Sequence, residues 1–93
     1  MSEDMKGAHL ELYKVILSLK SEEDCKIFFE DLCTMKELDS MSQRIQAAKL
    51  LLNGETYEKI ISKTEISSAT LSRVSRCVKY GEGYKKILGK NRD

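Results

Sequence analysis

The sequence predicts an all-α protein. Apolar residues recur at helical spacing, and no stretch alternates cleanly with period two. There is no proline anywhere in the chain, and four of the five glycines fall in the second half at expected helix ends.

Taken in order, residues 1–7 are expected to form a flexible start, residues 8–88 a single domain and residues 89–93 a disordered polar tail. The first helix is expected from Ala8 to Leu19. Its Leu10, Leu12, Tyr13, Val15, Ile16, Leu17 and Leu19 wrap most of the circumference. A domain of 93 residues is too small to surround such a helix, so burial against a second copy of the chain is expected. Ser21, with Asp24 three residues on, starts a second helix that turns Cys25, Phe28, Phe29, Leu32 and Cys33 inward. Thr34 with Glu37 starts a long third helix, from about Met35 to Asn53. In it Leu38, Met41, Ile45, Ala48 and Leu52 make a packing seam, widened by Leu50 and Leu51, and Gly54 supplies a left-handed end. Thr56 then caps a helix from Tyr57 to about Lys63, with Ile60 and Ile61 inward. Ser67 caps the next, from Ser68 to about Tyr80, with Leu71, Val74 and Val78 buried. A last short helix, Glu82 to Leu88, packs Tyr84, Ile87 and Leu88 back on the domain.

Composition narrows the function. Three cysteines, Cys25, Cys33 and Cys77, form no Cys-x-x-Cys pair, and with no signal peptide they point to a reducing, cytoplasmic setting. One histidine and three scattered cysteines match no zinc spacing, so no metal is expected. No apolar run is long enough to span a bilayer, so no membrane partner is expected. An enzyme is disfavoured. His9 is isolated, no acid–base pair is visible, and no glycine-rich phosphate loop occurs. The net charge of +1 conceals a polarity: residues 1–40 sum to −5 and residues 41–93 to +6. Such a split suits a chain whose second half meets phosphate, although charges also segregate on ordinary solvated surfaces.

Residues 57–79 carry the sharpest signal, that of a helix-turn-helix. This motif fixes two short helices with few contacts, using apolar residues before the turn, in it and on one face of the second helix. Ile60, Ile66, Leu71 and Val74 stand at those places. The opposite face offers Ser67, Ser68, Ala69, Thr70, Ser72, Arg73 and Arg76. Small hydroxyl residues allow close approach to a groove, and arginine makes bidentate contact to guanine or phosphate. Lys59, Lys63 and Lys79 flank the unit as phosphate partners. The phrase Ile66-Ser67-x-x-Thr70-Leu71-Ser72-Arg73 is similar to a signature of bacterial helix-turn-helix regulators. Two positions depart from that pattern: Ile61 replaces a small residue, and Glu65 replaces the usual turn glycine.

From about Thr34 to Val78 the chain resembles the Trp repressor superfamily. The residues that carry the likeness are Leu51-Leu52-Asn53-Gly54-Glu55 and Ala69-Thr70-Leu71-Ser72-Arg73-x-Ser75. Ser42-Gln43-Arg44 through Lys79-Tyr80-Gly81 most resembles its Trp-repressor-related YerC/YecD-type family of Gram-positive bacteria. The resemblance implies an intertwined homodimer with two recognition helices facing successive major grooves of a near-palindromic site. It also implies a ligand site. In that superfamily a threonine and two arginines surround an indole, and the matching positions are Thr34, Arg44 and Arg73. The glycine that leaves room for the ring is matched by Val74, and a serine that holds the ligand's amino group by Cys77. A valine fills the slot and a thiol bonds poorly, so tryptophan is not expected as corepressor. Another small effector is left open.

The expected function is therefore a sequence-specific DNA-binding homodimer that represses transcription by occupying an operator. The alternative is a helical protein-interaction module whose basic face is merely solvated.

Overall fold

A computed structural model describes residues 3–89; the expected loose ends at residues 1–2 and 90–93 lie outside them. Among the described residues there are six helices and no strand: α1 (Glu3–Leu17), α2 (Glu22–Leu32), α3 (Met35–Leu52), α4 (Tyr57–Thr64), α5 (Ser68–Tyr80) and α6 (Gly83–Leu88). The chain divides into two compact units, residues 1–35 and 36–93.

In the first unit, α1 starts five residues before the expected Ala8 and takes in Gly7. One glycine costs a helix about 1 kcal/mol, and no proline stands there to stop it. At the other end the helix stops at Leu17, two residues early. The amides of Ser18 and Leu19 bond back only three residues, to the carbonyls of Val15 and Ile16, which tightens the last turn. The Ser18 hydroxyl donates to the Val15 carbonyl as well, at 2.6 Å. α2 begins as the sequence predicts. The Ser21 hydroxyl oxygen accepts the Asp24 amide at 3.0 Å, and the Asp24 carboxylate accepts the Lys20 amide at 3.2 Å. The second bond reaches one residue further back than in the usual reciprocal cap. Phe28 and Phe29 meet edge to face at 5.5 Å between ring centres.

The expected inward face of α2 is not buried. Cys25 and Leu32 are exposed, and Phe28, Phe29 and Cys33 are half-buried. α1 likewise leaves Met5, Leu10, Leu12, Tyr13, Ile16 and Leu17 exposed, Leu17 at 83%. Thirty-five residues hold too few side chains to cover two apolar helices.

The second unit has the core. Ala47 and Ala48 of α3, Ile60 of α4, Ile66 in the turn, and Leu71 and Val74 of α5 are buried together. Leu50, Leu51, Val78, Tyr84 and Leu88 pack around them. The predicted seam on α3 is only partly used. Ala48 is buried, but Ile45 is 46% exposed, and the unpredicted Ala47 takes its place in the core. Ile61 and Ile87, expected inward, are exposed. On an eight-residue helix only one narrow stripe can face the core, and Ile60 occupies it.

Helix ends in this unit follow local chemistry. Gly54, at φ 86°, closes α3: its amide bonds the Leu51 carbonyl and the Glu55 amide bonds the Leu50 carbonyl, both at 3.0 Å. The Thr56 and Ser67 hydroxyl oxygens accept the amides of Lys59 and Thr70, at 3.2 and 3.1 Å. At the far end of α5, Lys85 Nζ donates to the Lys79 carbonyl at 3.0 Å.

The turn between α4 and α5 is built around Glu65, at φ 61° and ψ 20°. A side chain in this left-handed region costs about 1–2 kcal/mol. Glycine avoids that cost but loses about 0.5–1 kcal/mol through the unfolded chain's greater freedom. Glu65→Gly is therefore expected to stabilise the protein by about 0.5 kcal/mol, raising Tm by ~2–4 °C. A calorimetric melt showing a lower Tm would contradict this account of the turn.

Candidate nucleic-acid interface

Four hydrogen bonds lock the turn that presents α5. The Glu65 amide donates to the Ile61 carbonyl at 2.8 Å. The Thr64 hydroxyl donates to the Ile60 carbonyl at 2.8 Å and accepts the Ile66 amide at 3.2 Å. From α3, Gln43 Nε2 reaches across 21 positions and donates to the Thr64 carbonyl at 3.1 Å. Ile66, 2% exposed, then pins the segment into the core. Thus α5 is held at both its N-terminus and its apolar face. Gln43 was missed in the sequence because only folding brings α3 beside the end of α4.

α5 is strongly two-sided. Leu71, Val74 and Ser75 are buried, whereas Ser68, Ala69, Ser72, Arg73, Arg76 and Lys79 are exposed. At ~3.6 residues per turn, Ala69, Arg73 and Arg76 stand directly opposite the buried stripe. Alanine is the smallest side chain on this ridge, and the two arginines follow it at one-turn intervals. Ser67 and Thr70 are occupied locally: the Ser67 hydroxyl donates to Thr70 Oγ1 at 2.9 Å while accepting the Thr70 amide. Their first task is to cap the helix, and Thr70 is half-buried.

Lys59 and Lys63 are exposed on α4. Lys63 lies 3.9 Å from the Glu55 carboxylate, with more than half of its side chain exposed. So long and solvated a pair contributes little, and leaves the ammonium available to another anion. Lys59 and Lys63 on α4 and Arg73, Arg76 and Lys79 on α5 are thus all exposed to solvent.

The three residues matched to a ligand site are placed differently. Arg44 is half-buried on α3 and Arg73 is exposed on α5, both in the second unit. Thr34 is exposed and belongs to the first unit. Val74 is 1% exposed and sits among the core residues. Cys77 lines an open, mainly apolar cleft of about 330 Å³ with Gly81, Gly83 and Tyr84.

A family model described as "Trp repressor protein" matches residues 8–92, nearly the whole chain. The chain belongs to the Trp repressor family. Within this family, it is 49% identical over 78 residues to the YerC protein of Bacillus subtilis (strain 168), a span covering 83% of this chain and 75% of the relative. Two solved structures share its fold. A candidate Trp repressor from Staphylococcus aureus superposes with a TM-score of 0.87 at 40% identity, covering 97% of this chain and 94% of that one. A TrpR-like protein from Eubacterium eligens ATCC 27750 gives 0.86 at 44% identity, covering 90% and 88%. Membership of this family suggests a helix-turn-helix regulator. No helix among the described residues is long and apolar enough to cross a membrane.

Proposed function

We propose that this protein is a sequence-specific DNA-binding regulator that works as a homodimer and represses transcription by occupying an operator. The observation that carries the reading is the two-sidedness of α5. A locked turn and a buried stripe hold one face, and the opposite face presents Ala69, Arg73 and Arg76 to solvent. In this reading Ala69 permits close approach to the major groove and the arginines contact base edges. Ser68 and Ser72 contact the backbone from the sides of the ridge, and Lys59, Lys63 and Lys79 meet flanking phosphates. Ser67 and Thr70 orient the helix N-terminus toward a phosphate.

The homodimer rests on α1 and α2. Six large apolar side chains of α1 are exposed, a surface that a second copy would cover. Pairing two copies also sets two recognition helices on one near-palindromic site. Such a regulator acts in the cytoplasm, where bacterial DNA lies.

Selection of binding sites from a random duplex pool tests the proposal. The expected outcome is a near-palindromic consensus bound by a dimer. Affinity is expected to fall ~10³-fold or more between 50 and 200 mM salt, because a dimer offers several phosphate contacts per subunit. A pool that stays random, with salt-insensitive retention on duplex DNA, would favour the protein-interaction module instead.

Tryptophan is not the proposed effector. The core already holds Val74 where the family's ligand slot would open, and Cys77 replaces a hydroxyl with a thiol. Titration calorimetry with L-tryptophan is expected to give no heat of binding in the micromolar range. Saturable micromolar binding would show that Val74 leaves the slot. An effector of another shape, held by Arg44 and Arg73, would appear in the same selection as a metabolite-dependent change in affinity.

A further inference from the structure

The outward ridge of α5 does not end at Arg76. The helix continues through Tyr80, and Tyr80 is 82% exposed. Ala69, Arg73, Arg76 and Tyr80 follow at steps of four, three and four residues. At ~3.6 residues per turn they fall within an arc of about 60°, opposite Leu71, Val74, Ser75 and Val78. An aromatic ring at the polar pole of an amphipathic helix gains nothing from its own fold. The other tyrosine beside α5, Tyr84, is packed against the core. The backbone on either side of Tyr80 is tied down. Gly81 ends the helix directly after it, with the Gly81 amide bonded to the Cys77 carbonyl at 2.8 Å, and Lys85 ties down the neighbouring Lys79 carbonyl.

We infer that Tyr80 is a further nucleic-acid contact, at the point where α5 leaves the major groove, with its ring against the sugar and its hydroxyl donating to a phosphate. This rests on the DNA-binding reading above. From Ala69 to Tyr80 the ridge runs about 16 Å at ~1.5 Å per residue. The major groove is about 12 Å wide. A helix entering by its N-terminal turns reads bases there, and its last turn reaches the groove's edge, where the backbone runs. The positive charges of Arg76 and Lys79 beside Tyr80 suit a phosphate neighbour. A phenol is apolar on its face and a hydrogen-bond donor at its tip, which fits sugar and phosphate together.

The contact carries no sequence information of its own, so its signature differs from that of the arginines. Fluorescence anisotropy with Tyr80→Phe, Tyr80→Ala and Arg76→Ala, each on the selected duplex and an unrelated duplex, tests it. Loss of one hydrogen bond to a charged acceptor in each subunit predicts binding weaker by at least about tenfold for Tyr80→Phe, and a larger loss for Tyr80→Ala. Both factors are expected to be equal on the two duplexes. The salt slope is expected to be unchanged for both Tyr80 variants, because a neutral phenol releases no counterion, while Arg76→Ala lowers it if that arginine meets phosphate, or narrows the gap between the duplexes if it reads a base. Wild-type affinity for Tyr80→Ala, in an assay where Arg76→Ala binds more weakly, would overturn the inference. So would a changed oligomeric mass for Tyr80→Ala with DNA affinity preserved, which would assign the ring to a protein partner. If the wild-type protein binds neither duplex, the parent reading fails and takes this one with it. The side chain is almost wholly solvated, so unfolding of the variants is not expected, and circular dichroism checks that.

Discussion

Leu71→Ala is expected to lower the unfolding free energy by about 2–5 kcal/mol, the range for truncating a large aliphatic side chain in a core that relaxes little. Leu71 is fully buried and belongs to a cluster with only six buried apolar members among the described residues. Two of those six are alanines, with no longer side chain to move into the space. The cavity would open beneath α5, opposite the ridge that carries Arg73 and Arg76. Stability and presentation of that ridge should therefore fall together. Chemical denaturation read by circular dichroism gives the number. A midpoint equal to that of the wild type would place Leu71 outside the core.

Arg73→Ala and Arg76→Ala are expected to behave in the reverse way. Both side chains are exposed, so the fold should stay intact with a melting curve close to wild type. Binding should suffer instead. A bidentate arginine–guanine contact is worth about 1–3 kcal/mol of discrimination, and in a dimer each substitution removes two. The expected result is weaker binding to the selected site with little change on unrelated duplexes for an arginine that reads a base. For one that meets phosphate, weakening is uniform and the salt slope shrinks. Comparing the two substitutions on both duplexes assigns each arginine. If both variants hold the selected site as tightly as wild type, the outward ridge is not the contact surface.

The stability and binding predictions divide along the two faces of α5, and both faces could be seen in the sequence. Ser67 before a run with apolar residues at positions 71, 74 and 78 marked the start of α5 and its inner side. The outer side followed by subtraction. Glu65 was legible as an anomaly, since a turn of this kind favours glycine, and the structure shows why: φ is 61° there. Tyr80 was passed over, because an aromatic at a helix end reads by default as packing. Its 82% exposure is a tertiary result. Ile61 failed for the opposite reason. Being apolar and adjacent to a core residue does not place a side chain on the core stripe of a short helix.

By itself, the sequence determined the helices and their ends in most cases, because capping, left-handed glycine and helical periodicity act within a few residues. It also determined the chemistry of the outer face of α5 and the family to which the chain belongs. Only the tertiary structure decided which apolar residues become core. It chose Ala47 over Ile45 on α3, left the inner face of α2 and much of α1 exposed, and put Val74 among the buried side chains. It likewise supplied the Gln43 bond that locks the turn. The physical reason is the same in each case. Burial and long-range hydrogen bonds depend on what arrives from distant positions in the chain, and no local pattern specifies that.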